Sequence, residues 1–139
     1  MIKNILNPTG DQVRDMRDRA TGEPIYMLNL LTFKDKAVYE DGRETDLSGR
    51  DAYMLYSKGF ARLMNPKGVT QVFSGEVRGA LIGEGEMPWH AMAVVMYPEA
   101  QVMLDMLRDP DYHALLPHRH AGLEGQLLIE CGKDDALFK

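Results

Sequence analysis

A stretch near the C-terminus, His113 through His120, concentrates the side chains best suited to chemistry. Pro117-His118-Arg119-His120 places two imidazoles around a guanidinium. An imidazole exchanges a proton near neutral pH. A guanidinium grips a carboxylate or an oxyanion through its forked N–H donors. On a helix His118 and His120 project about 200° apart, so they cannot ligate one metal ion. His113 and His120 share a helical face, but nothing supplies a third ligand. The stretch predicts metal-free chemistry, with His118 as general base and Arg119 as the anchor of an anionic group. The competing expectation is a local pair for Arg119 and solvated imidazoles.

Asn29 is the polar member of the apolar run Ile25-Tyr26-Met27-Leu28-Asn29-Leu30-Leu31-Thr32-Phe33. A buried amide must be hydrogen-bonded. It either pins a neighbouring strand or turns into a pocket and orients a ligand carbonyl. Tyr53, Tyr56, Phe60 and Trp89 are rings expected to meet between helix and sheet, as core. A phenol beside an apolar pocket also donates to a substrate oxygen. Glu76 and Arg78 alternate onto one strand face, as a catalytic pair, a dimer contact or a surface pair. Gly75, Gly79, Gly83 and Gly85 are followed by no Lys-Ser/Thr of a phosphate loop and read as bends. Cys131 reads as a plain strand residue.

The bulk properties narrow the classes. A chain of 139 residues fits one domain. Hydrophobic residues at 45% and charged residues at 27% are those of a soluble globular protein. The net charge is −5 and no basic block occurs, which argues against a nucleic-acid partner. A single cysteine excludes an intrachain disulfide and a multi-thiolate metal site, and fits a reducing, cytoplasmic location. Neither a secretory signal nor a membrane span is expected. Ten methionines supply either adaptable core filler or a soft, accommodating pocket.

The elements that must position these residues follow from periodicity and punctuation. Thr9 caps a short, highly charged helix that ends at Thr21-Gly22 and Pro24, extra to the core. The run 25–33 has so little alternation that it predicts a strand buried on both faces. Residues 34–48 are charged and turn-rich, the composition of a mobile loop. Ser48 caps a helix from Gly49 to about Asn65, with Ala52, Tyr53, Tyr56, Phe60, Leu63 and Met64 on its core face. Val69 to Ile82 reads as one bent strand or two short ones, and 83–88 as a hairpin connection. A strand over 89–97, a helix over 98–108, a helical piece over 111–123 interrupted by Pro117, and a strand from Gln126 to Cys131 complete the order. Two split β-α-β units of this kind make the ferredoxin-like arrangement, with both helices on one face of a four-stranded antiparallel sheet.

Several motifs occur in order along these elements: Met27-Leu28-Asn29-Leu30-Leu31-x-Phe33, Gly75-Glu76-Val77, Leu81-Ile82-Gly83-Glu84-Gly85, Trp89, Tyr97-Pro98, Met106 to Tyr112, Pro117-His118-Arg119 and Ala121-Gly122-Leu123-Glu124. As a set they resemble a bacterial family of unknown function in the dimeric α+β barrel superfamily, over residues 24–131. Tyr97-Pro98-Glu99 departs from that pattern by lacking the Ser expected as a helix cap. The resemblance implies a homodimer whose two sheets face each other as a barrel. It also implies a pocket for a small apolar molecule in each protomer. Relatives in the superfamily include cofactor-independent monooxygenases, lactone isomerases and haem-using enzymes.

The expectations are therefore specific. The fold is α+β, ferredoxin-like, with an N-terminal helical arm over 1–23 and one domain over 24–139. The function is that of a cofactor-independent enzyme, monooxygenase- or isomerase-like, acting on a small aromatic or carbonyl compound. The alternative is a non-catalytic ligand-binding or structural homodimer. Asn29, His118 and Arg119 carry the chemistry, and Tyr56, Arg78 and Trp89 bind the ligand. No metal, cofactor, nucleic acid or membrane is expected as a partner; a second copy and a small apolar or anionic ligand are.

Overall fold

The computed structural model describes residues 5–139, so the first four residues of the N-terminal arm lie outside the described residues. Strand β1 (Ile25–Phe33) is the centre of the sheet. It pairs antiparallel with β3 (Ala91–Tyr97) on one side and β4 (Leu123–Cys131) on the other. Strand β2 (Thr70–Glu76) extends the sheet beyond β3, giving the order β2-β3-β1-β4. This is the ferredoxin-like arrangement read from the sequence.

Helices α1 (Gly10–Arg19), α2 (Gly49–Met64), α3 (Ala100–Met106), α4 (Pro110–His113) and α5 (Leu116–Gly122) cover one face. Odd-numbered β1 residues point to them: Ile25 and Met27 join Met16, Tyr56, Met64, Tyr97, Met103 and Tyr112 in one buried cluster. Even-numbered Tyr26, Leu28 and Leu30 point the other way, beside Met96, Val94 and Met92 of β3. No helix among the described residues covers that second face. Among the described residues no helix is long and apolar enough to cross a membrane.

Local chemistry sets the helix ends. Thr9 and Gln12 form a reciprocal capping box at the start of α1. Ser48 Oγ accepts from the Asp51 N–H at 3.0 Å at the start of α2. Glu99 precedes α3 without a side-chain cap, consistent with the missing Ser. That helix begins at Ala100 rather than Pro98. Proline divides the next piece, since Pro110 opens α4 and Pro117 sits in the first turn of α5.

Four expectations need correction. The strand expected to reach Ile82 ends at Glu76, because β3 offers it no partner beyond Ala91. The Val77 N–H still reaches His90 O at 2.9 Å, and then 78–89 runs as loop with Leu81 and Ile82 almost wholly exposed. The last strand starts three residues early, at Leu123, because pairing with β1 continues through an irregularity to Phe33. Loop 34–48 is packed rather than loose: Ala37 and Tyr39 are buried against Ala52 and Ala121. Helix α1 is not extra to the core, since Met16 is buried in it.

Candidate ligand cavity

A cavity of about 900 Å³ lies between the helices and the sheet. That is within the size range of small-molecule sites. Met27, Asn29, Leu31 and Ala93 line its sheet side. Tyr53, Tyr56 and Phe60 of α2, Met103 and Met106 of α3 and Tyr112 of α4 line its helix side. The rings form a continuous series. Phe33 and Tyr53 lie 5.5 Å apart, Tyr53 and Tyr56 5.3 Å, Tyr56 and Phe60 6.0 Å, and Tyr56 and Tyr112 6.1 Å.

One polar chain crosses this apolar wall. Arg119 Nη2 donates to Gln126 Oε1. Gln126 Nε2 donates to Asn29 Oδ1 at 2.8 Å. Asn29 Nδ2 donates to Met27 O at 3.2 Å and to Ala93 O at 3.3 Å. Each amide thus has its orientation set by the next member. Arg119 and Gln126 are 8% and 7% exposed, so this is a buried polar network. Among the described residues no carboxylate lies within ion-pair distance of Arg119.

The phenols complete the polar inventory. Tyr56 Oη and Tyr112 Oη share a hydrogen bond of 3.0 Å. Burial pushes the Tyr53 phenol up to about 12, with the Arg119 charge pulling the other way. Burial also holds Tyr56 well above its ordinary value, reinforced by Tyr112 and Tyr53 and opposed by Arg119. Both therefore stay protonated at neutral pH and act as hydrogen-bond donors rather than bases.

Three of the six residues singled out in the sequence line the cavity: Asn29, Tyr56 and Arg119. His118, Arg78 and Trp89 lie outside that lining. His118 is one residue, about 100°, around α5 from Arg119 and faces the loop instead. Its Nδ1 shares a 2.7 Å hydrogen bond with Tyr39 Oη. Arg78 lies past the end of β2, where its Nε donates to Glu76 Oε1 at 2.9 Å, both side chains exposed. Trp89 is half-buried in the loop before β3. Gln126 and Tyr112 are the residues sequence reasoning missed. A signal for Gln126 existed: it is an amide opposite Leu31, two positions along from Asn29. Among the described residues no group of three or more His, Cys, Asp or Glu is placed to hold a metal.

Known proteins of similar structure carry names that say little of chemistry. The crystal structure of the methylated RPA0582 protein matches with a TM-score of 0.87 and 30% identity, over 97% of this chain and 98% of that one. A second structure of RPA0582, a protein of unknown function from Rhodopseudomonas palustris, matches at 0.83 and 28% over 93% and 96%. A dimeric protein of unknown function and ferredoxin-like fold from Bacteroides fragilis matches at 0.51 and 10% over 82% and 99%, a likeness of fold alone. No family model and no curated protein matches the chain.

Proposed function

We propose, from the premise that this chain belongs to the family of the RPA0582 protein, that it is a homodimer in which each protomer holds a small, largely apolar compound between helices and sheet. The observation that carries this reading is the cavity itself: an aromatic and methionine-lined space crossed by one fixed polar chain, Arg119–Gln126–Asn29. Apolar walls supply affinity, and a few convergent donors set orientation. The dimer is supported by the face of the sheet that carries Leu28, Leu30, Met92, Val94 and Met96, an apolar area of the kind that marks an interaction surface. Phe73 and Ile129 extend it and are 58% and 40% exposed. The ferredoxin-like Bacteroides protein is described as dimeric. The lone Cys131 fits the cytoplasm.

Binding is favoured over turnover because His118, the imidazole suited to move a proton, is engaged by Tyr39. The competing reading is a cofactor-independent monooxygenase or isomerase in which Arg119 and Asn29 hold an oxyanion. A thermal-shift screen of small acids, quinols and lactones tests the cavity. Compounds that stabilise the wild type are expected to lose their effect in Ala93→Phe, which fills the floor beside Asn29. Shifts that survive this substitution, or no shift from any compound, contradict the proposal. Oxygen uptake or product formation with a stabilising compound would favour the enzyme.

A further inference from the structure

The guanidinium of Arg119 is a buried cation with no carboxylate of the described residues beside it. A buried charge is costly unless it is paired and hydrogen-bonded. Arg119 is 92% buried by its 8% exposure, yet its one side-chain partner among the described residues is the neutral amide of Gln126. A guanidinium has five N–H donors, and a carboxylate satisfies two of them side by side. The other arginines bordering the cavity, Arg17, Arg19, Arg50 and Arg108, are exposed to solvent, and Arg19 already pairs with Glu130. Arg119 is thus the buried cation of the cavity.

Resting on the ligand-cavity reading, we infer that the site takes an aromatic monocarboxylate, with its acid group on Arg119 and its ring against the tyrosines of α2. Three features select this class. A single buried cation matches a single negative charge. The Tyr53, Tyr56 and Phe60 rings offer tilted faces for a flat ring to pack against. Gln126 holds the guanidinium by one edge, and its own amide is fixed by Asn29, so the cation is oriented before the ligand arrives.

Calorimetric titration with 2-naphthoate and with 2-naphthamide isolates the charge, because the two differ little in shape. The acid is expected to bind at least about tenfold more tightly, a difference of about 1.4 kcal/mol. Arg119→Met should erase the preference by removing the cation. Gln126→Glu should erase it by another route, placing a carboxylate of the protein on the guanidinium, and it keeps the test informative if Arg119→Met does not fold. Equal binding of acid and amide, or a preference that survives a folded variant, overturns the acid assignment and leaves the cavity reading standing. Binding of neither compound overturns the assignment, and a thermal-shift screen that is also silent overturns the cavity reading with it.

Discussion

Gly49 and Gly122 bring α2 and α5 together backbone to backbone. A Cβ on Gly49 would lie 2.7 Å from Gly122 O, and one on Gly122 would lie 2.8 Å from Tyr53 N. Both contacts are with main chain, which cannot swing aside. This close approach sets the distance between Tyr53 on α2 and Arg119 on α5, and so the width of the cavity at its charged end. Gly122→Ala should lower stability by about 1–3 kcal/mol, the cost of overpacking a rigid contact. Urea denaturation checks it. By contrast Gly79→Ala, where an added Cβ meets nothing within 4 Å, should leave stability nearly unchanged.

The uncovered face of the sheet predicts the oligomeric state. Leu28 and Val94 face each other across β1 and β3 at its centre. If two copies pack through this face as proposed, Leu28→Glu would bury a carboxylate between them and should convert the proposed dimer to protomers of half the mass. Sedimentation at micromolar concentration reads this directly. A wild-type protomer that sediments alone would contradict the expectation.

Asn29 joins three elements, so its loss should be felt in stability before it is felt in binding. Asn29→Leu leaves the Gln126 amide without its acceptor and removes two bonds to strand carbonyls. The expected loss is about 1–3 kcal/mol, read by thermal or denaturant unfolding. Tyr56→Phe removes one shared phenol bond and keeps the ring. It should cost about 0.5–1.5 kcal/mol.

His120 gives the pH dependence a sign. Burial, helped by the neighbouring Arg119 and Lys34 charges and opposed by Glu40, lowers its pKa below the ordinary value. The unfolded chain therefore binds this proton more readily than the folded one. Its contribution is intact above the ordinary imidazole value of about 6.5 and is lost as pH falls through the lowered one. Melting temperature should fall between pH 7 and pH 5, and His120→Asn should flatten that fall. A variant with the same slope as the wild type would exclude His120 as its source.

Much of the fold was legible because a central strand leaves a plain mark, although the face of β1 that carries Tyr26, Leu28 and Leu30 is only half-buried. The run 25–33, apolar but for Asn29 and Thr32, reads as a central strand, and β1 is that strand. Thr9 and Ser48 marked helix starts by the same side-chain bonds that form them. What failed was information held by partners distant in sequence. The end of β2 depends on where β3 begins, which residue types near Ile82 do not encode. The burial of Tyr39 depends on Ala121 and Ala52. At the site, Asn29 stood out as an amide among apolar neighbours. His118 and Arg119 could not be separated without knowing how α5 is rotated about its axis.

The methionines allow the most direct test of the central claim, that a small molecule sits between helices and sheet. Met27, Met103 and Met106 line the cavity, whereas Met87 and Met96 do not. With methyl-labelled methionine, addition of a compound that stabilises the protein in the thermal-shift screen should shift the methyl resonances of the first three and leave Met87 and Met96 in place. Shifts confined to Met87 and Met96, or none at all at saturating concentration, would contradict it.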